Sequence, residues 1–207
     1  MNLHASIFFI TLSIVSSVDV LGQGHNRMEI ERITTLGKDS ITEIAHGIVR
    51  QKYPDLDIIL GDFDISVWSN TQEVLVQYKR RIRFVPLGQE TRNYTYDFTV
   101  HVMPHRISPF DFFGIDDFYL PTSEDREKIS FVQNAFGLPR QWFDSEVTEK
   151  EDKYVVSLSN EVSFGIYEID KVTGMEIPQS SIEGNWEPEP DILGGEEDKD
   201  PYVEIKE

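Results

Sequence analysis

Between residues 63 and 102, apolar and polar side chains alternate in three successive runs, and this restricts the chain more than any other feature it carries. Phe63, Ile65 and Val67 alternate with Asp62, Asp64 and Ser66. Val74, Val76, Tyr78, Ile82 and Phe84 share one side of a second run, and Glu73, Gln77, Lys79, Arg81 and Arg83 share the other. Tyr94, Tyr96, Phe98, Val100 and Val102 line one side of a third. Successive side chains of a strand point to opposite faces, so a period of two sustained this long predicts antiparallel strands with one buried and one wet face. Ser69-Asn70-Thr71 and Pro86-Leu87-Gly88 supply the turns between them.

A buried sheet face needs a cover, and residues 38–52 provide a helix for it. Ile41, Ile44, Ala45, Ile48 and Val49 recur at helical spacing as one apolar stripe. Asp39 or Ser40 is suited to cap its start, and Tyr53-Pro54-Asp55 ends it, since proline restricts the residue before it. A second helix is expected over residues 123–136. Ser123 with Arg126 and Glu127 forms an imperfect start signal, Ile129, Val132, Gln133 and Phe136 make the inner stripe, and Gly137 stops it. Strands are expected over residues 146–150, 153–159 and 164–170. Glu151-Asp152 and Lys171-Val172-Thr173-Gly174 turn the chain, the latter leading to Met175-Glu176-Ile177.

The order helix, strand, strand, strand thus occurs twice. The expected class is α+β, with a helix packed on an antiparallel sheet and two αβββ units in tandem. The first unit covers residues 23–104 and the second 123–182, with an aromatic connector at 105–122. From residue 183 to 207, ten acidic residues face two lysines, with Pro188, Pro190, Pro201 and Gly194-Gly195 among them. That composition predicts a disordered tail, within which Tyr202-Val203-Glu204-Ile205 has the make-up of a short docking strand.

Residues 1–22 read as a signal peptide. An apolar run at 7–15 includes Phe8, Phe9, Ile10, Leu12 and Ile14, and Val20-Leu21-Gly22 offers compact residues before Gln23. The run is too short for a lasting membrane span, although the first six residues lack Lys and Arg and Asp19 is unusual near the cleavage point. The chain is therefore expected to be secreted or periplasmic. It has no cysteine, which excludes disulfides, thiolate zinc sites and cysteine nucleophiles, so it must fold on packing alone. Its 207 residues, 39% of them hydrophobic, suffice for a buried core. A net charge of −18 repels nucleic-acid phosphates and anionic membranes and favours cations and basic partners.

Two stretches carry a family resemblance. Residues 46–57, HGIVRQKYPDLD, form a helix ending in Tyr-Pro before a strand, and residues 164–177, FGIYEIDKVTGMEI, form a strand, an Asp, a Thr-Gly turn and an acidic-Ile step. Together they resemble the PepSY domains and related cystatin-like folds of exported bacterial proteins. The resemblance implies a helix lying across an antiparallel sheet, in modules that inhibit proteases from within propeptides or occur in periplasmic proteins. It carries no catalytic motif. The physical role of the second stretch is local: Gly174 allows the positive φ of the turn, and Asp170 and Thr173 close it by hydrogen bonds.

Arg80 is the first candidate site residue. It falls on the apolar side of its strand between Tyr78 and Ile82, where a cation needs a carboxylate or a ligand anion. A bulge in Lys79-Arg80-Arg81 that turns Arg80 to solvent is the simpler expectation. The functional alternative is a small-molecule or enzyme pocket between helix and sheet around Arg80, Tyr78 and Tyr96. Lys79, Arg81 and Arg83 line the wet face, opposed by Asp62, Asp64 and Asp97. In the connector, Phe110, Phe112, Phe113, Phe118 and Tyr119 would form a partner-binding patch if exposed, and would weld the two halves together if buried.

Metal and catalytic motifs do not come together. His101 and His105 lack a third ligand, and Asp55, Asp57, Asp62 and Asp64 do not match a helix-loop-helix calcium loop. No phosphate loop and no Gly-x-Ser-x-Gly elbow is present. Asn93-Tyr94-Thr95 is a glycosylation sequon with meaning only in a eukaryotic secretory pathway. No cofactor is expected. The reading that results is an exported, non-enzymatic binding or inhibitory module for a protein or peptide partner. A structural component of an exported assembly is a further alternative.

Overall fold

The computed structural model describes residues 27–54, 59–103, 106–109, 118–186 and 201–206. Among these residues the fold is α+β, with three α-helices and two sheets. Helix α1 covers residues 27–34, α2 is Gly37–Lys52 and α3 is Ser123–Phe136. The strands are β1 Phe63–Ser69, β2 Val74–Arg80, β3 Ile82–Val85, β4 Phe98–Met103, β5 Arg106–Pro109, β6 Asp144–Glu149, β7 Lys153–Ser159, β8 Ser163–Asp170, β9 Ile182–Asn185 and β10 Val203–Glu204. The first sheet has the order β10-β1-β2-β4-β5 and is antiparallel. The second has the order β3-β6-β7-β8-β9 and is mixed, because β3 pairs parallel to β6.

The alternation expected from residue 74 to residue 84 is present, but the strand divides at Arg81 and serves both sheets. The division falls at two successive amides. The Arg80 backbone N–H donates to the Asp97 carboxylate at 2.7 Å, and the Arg81 N–H donates to the Asp62 carbonyl at 2.9 Å. The Arg80 amide is thereby withheld from β4, while the Arg81 amide keeps the β1 register for one more residue; beyond it the chain pairs with β6. Val74, Val76, Tyr78, Arg80, Ile82 and Phe84 are all buried, yet β2 contributes to one core and β3 to another. The unit drawn at 23–104 therefore gives up its β3 to the second sheet.

The first core lies between α1, α2 and the first sheet. Ile41, Ala45 and Val49 of α2 meet Val67, Val76, Tyr78 and Val100, each at most 3% exposed. Burying one such side chain contributes about 1.5–3 kcal/mol. Ile44, expected in the stripe, is exposed, and His46 is turned inward in its place with its ring stacked 6.0 Å from Tyr78. Neither Asp39 nor Ser40 caps α2: Leu36 is the N-cap and makes no side-chain bond, because the chain enters directly from α1 through a turn.

The second core lies between α3 and β3, β6, β7 and β8, with Phe84, Val132, Val147, Val156 and Ile169 fully enclosed. Helix α3 has its expected bounds, but its start signal sits one residue earlier. Thr122 accepts from the Asp125 N–H at 3.1 Å and Asp125 accepts from the Thr122 N–H at 3.0 Å, a reciprocal capping box. Gly137 ends the helix at φ 71°, where glycine has no Cβ penalty. The turn after β8 closes as expected, with the Asp170 carboxylate accepting from the Val172 and Thr173 N–H groups.

Tyr94 and Tyr96 leave the strand that the alternation assigned them. β4 begins at Phe98, and Thr95 makes a single parallel bridge with Phe118. Phe98 faces the first core while Tyr96 packs in the second. Phe118 and Tyr119 divide in the same way, Phe118 against Phe98 in the first core and Tyr119 against Tyr94 and Tyr96 in the second. These two connector residues are buried at 9% and 3% exposure and weld the halves together, so neither belongs to an exposed patch. Phe110, Phe112 and Phe113 lie outside the described residues, as do residues 1–22, Asp55, Asp57 and His105.

The acidic terminal region is not wholly without structure. Ile182–Asn185 forms β9 on the edge of the second sheet, and Val203–Glu204 forms β10 on the edge of β1. Ile205 donates its N–H to the Val67 carbonyl at 2.8 Å and packs against the first core. Residues 187–200 lie outside the described residues. Among the described residues no helix is long and apolar enough to cross a membrane.

Candidate functional site

Where the second strand run divides, the two sheets and α3 leave a groove. Its inner part, about 250 Å³, is lined by Gly61, Asp62, Arg80, Arg126, Ser130 and Pro139. Arg80, Arg81 and Pro139 also border the adjoining depression of about 490 Å³, with Lys79, Arg140, Trp142 and Asp144 as further walls. Lys79, Trp142 and Asp144 carry the groove on to Asn160 and Val162 at the tip of the β7–β8 turn.

Arg80 is not turned to solvent; its side chain is 4% exposed. The ladder is interrupted at the following residue, so the inward direction set by the alternation is preserved. Inside, Nη2 donates to the Tyr119 carbonyl at 3.1 Å and Nη1 lies 3.4 Å from the Asp62 carboxylate. The guanidinium stands 4.5 Å over the Phe63 ring, and its Nε has no hydrogen-bond partner among the described residues. Burial pulls the Arg80 pKa below its ordinary value, and the Asp62 charge opposes this. Asp62 also receives Arg126 Nη1 of α3 at 3.0 Å, so one carboxylate ties the first sheet to the second unit's helix.

The wet-face cations are paired as the alternation suggested, with one exchange. Arg81 meets Asp64 at 2.9 Å and Arg83 meets Asp97, while Lys79 crosses to Asp144 of β6 at 2.6 Å. Around the two connected depressions the cations Lys79, Arg80, Arg81, Arg126 and Arg140 outnumber the carboxylates Asp62, Asp64 and Asp144. In a chain with net charge −18 this is a local reversal of sign. Arg140 has no carboxylate partner among the described residues; it stands 4.3 Å over Phe136 and 5.5 Å over Tyr167.

Trp142 is the second unusual member. It is 81% exposed, and its backbone is left-handed at φ 70°. An L-residue with a bulky side chain in that conformation costs about 1–2 kcal/mol, and such strain concentrates at functional positions. Exposure of the indole recovers none of that cost by burial.

Tyr78 and Tyr96 do not join Arg80 in this groove. Tyr78 is fully buried in the first core with its hydroxyl unpartnered among the described residues, and burial pushes its pKa up. Tyr96 donates to the Phe84 carbonyl at 2.8 Å in the second core. The pocket between helix and sheet around these three residues is therefore replaced by a groove between the two sheets that keeps only Arg80. Sequence reasoning missed Arg126, Arg140 and Trp142. The one available signal was Arg140-Gln141-Trp142, a cation and a large aromatic in a segment with no periodicity after the helix stop at Gly137.

His101 sits 7% exposed with Nδ1 2.6 Å from Glu73. Among the described residues no group of three or more His, Cys, Asp or Glu side chains is placed to hold a metal ion. No protein-family model, curated protein or solved structure matches this chain.

Proposed function

We propose that this chain is an exported, non-enzymatic binding module whose junction groove takes an extended segment of a protein partner. The segment presents an apolar side chain to Trp142 and a carboxylate to Arg140. The observation that carries this reading is that a strained, exposed Trp142 shares one groove wall with Arg140, which has no carboxylate partner among the described residues. Tryptophan and arginine dominate the energetics of protein interfaces, because each covers a large area and supplies directed donors. The carboxylate preference follows from the local excess of cations. The opposing net charge of the chain is screened beyond a Debye length of about 8 Å at physiological ionic strength, so the groove's own charges set the local preference. Export rests on the apolar run and cleavage-like end of residues 1–22.

A labelled octapeptide of alternating glutamate and leucine tests the reading, with an alternating lysine and leucine peptide as control. The acidic peptide binds and the basic one does not. Arg140→Ala weakens the acidic peptide about tenfold, the loss of roughly one charge-assisted contact. Equal binding of both peptides, or binding indifferent to Arg140, refutes it.

A further inference from the structure

The outer edge of β1 is only partly covered. β1 has seven residues, but β10 pairs with Trp68 and Ser69, its segment further held by the Ile205 N–H on the Val67 carbonyl and the Tyr202 hydroxyl on the Glu73 carboxylate. Among the described residues no strand pairs with Phe63, Asp64, Ile65 or Ser66 on the side away from β2. An edge of this kind presents a row of main-chain groups to any extended chain that can reach it.

We propose that the β1 edge is a strand-acceptor site for an extended segment of a protein partner, and that β10 is its internal occupant, displaced when a longer strand pairs along the whole of β1. β10 shows both the direction and the side-chain pattern that the edge accepts. It runs antiparallel to β1, with Glu204 opposite Trp68 and Val203 opposite Ser69. Ile205, opposite Val67, falls on the core side and packs against the first core, whereas Glu204 follows Trp68 onto the opposite face. Continuation in that register places alternate residues of the incoming strand over Ile65 and Phe63, so these must be apolar, with polar residues between them. Main-chain bonds supply affinity in this mode of recognition and alternate side chains supply the choice of sequence.

Two facts decide the occupant. β10 belongs to the same chain as β1, so its pairing is intramolecular and a competing strand must exceed it. A second copy's β10 forms the same two-residue ladder and gains nothing over it. A partner strand that also pairs with Phe63–Ser66 adds ladder bonds that β10 does not make, and that difference is what displaces it.

The test uses the full chain and two synthetic peptides, Tyr-Val-Glu-Ile-Lys-Val-Thr-Val and the shorter Tyr-Val-Glu-Ile-Lys, followed by fluorescence anisotropy and amide hydrogen exchange. The eight-residue peptide is expected to bind the wild-type chain at about tenfold lower concentration than the five-residue one. On binding, the Ile205 amide loses its protection. Ile205→Asp, which loosens β10, tightens binding of the longer peptide about tenfold. Trp142→Gly leaves it unchanged, which separates this edge from the junction groove. Equal or absent binding of the two peptides to the wild-type chain overturns the proposal, as does an Ile205 amide that stays protected in the complex. Unchanged affinity in Ile205→Asp, or loss of binding in Trp142→Gly, also overturns it. If Ile205→Asp does not fold, the wild-type readouts decide alone.

Discussion

Arg80 holds the carbonyl of Tyr119 at 3.1 Å from the end of β2, at the point where the chain passes from one core to the other. The same guanidinium faces Asp62, which Arg126 of α3 also engages. A buried cation is thus the hinge pin of the two sheets, and its removal affects both.

Arg80→Met is expected to lower stability by about 2 kcal/mol, the cost of leaving a buried acceptor without its donor. The figure stays moderate because Asp62 is partly exposed and keeps Arg126. Arg81→Met, at the neighbouring exposed pair with Asp64, is expected to change stability by under about 0.5 kcal/mol. Urea unfolding of the two variants checks the contrast, and equal effects would show that the buried position of Arg80 is immaterial.

Acid weakens the second unit through Glu149. This carboxylate is 4% exposed and accepts from Lys128 at 3.0 Å, Lys171 at 2.8 Å and the Leu87 N–H at 3.3 Å. Burial alone raises its pKa, but the bonds from Lys171 and Lys128 outweigh it and hold the value below the ordinary glutamate value of 4.5. A carboxyl depressed by folding stabilises the fold fully above the unfolded value, and the contribution is lost as pH falls through the folded value. As pH falls below the ordinary glutamate value of 4.5, the wild-type chain is expected to lose stability more steeply than Glu149→Gln, as read by urea unfolding at successive pH values. Parallel pH profiles for the two chains would contradict this.

Trp142→Gly separates strain from function. Glycine adopts a φ near 70° without a Cβ penalty, and the indole that is removed is 81% exposed. Relief of about 1–2 kcal/mol, less the greater chain entropy of glycine, leaves a net gain of about 0.5 kcal/mol. Thermal unfolding is expected to rise slightly while binding of the acidic octapeptide is lost. A drop in stability would instead mark Trp142 as a structural residue.

Much of the fold was legible because local periodicity and turn chemistry point the same way. Helix α3 and strand β7 lie where their patterns place them, and Gly137, Asp170 and Gly174 do what their residue types require. The sharing of one strand run between two sheets was not legible. Tyr78, Arg80, Ile82 and Phe84 keep their alternation across the division, so no period changes. At the break the Asp97 carboxylate captures the Arg80 amide, and only the tertiary fold brings those groups together. Tyr202-Val203-Glu204-Ile205 showed the make-up of a docking strand within the acidic tail, but its partner, the distant edge of β1, had no local signature. Exposure of Trp142 has no sequence signature, because a tryptophan is read by default as a core residue.

The indole N–H signals provide the most direct measurement of the groove's role. The chain has three tryptophans. Trp68 donates to Ser66 at 2.9 Å and Trp186 to the Asn160 carbonyl at 2.8 Å, so both are held within the fold, while Trp142 projects into the groove. On titration of the ¹⁵N-labelled protein with the acidic octapeptide, the Trp142 indole resonance is expected to shift in a saturable way while that of Trp68 stays fixed. A saturable shift at Trp68 with Trp142 unmoved, or no shift at any indole, contradicts the assignment of the junction groove as the binding site.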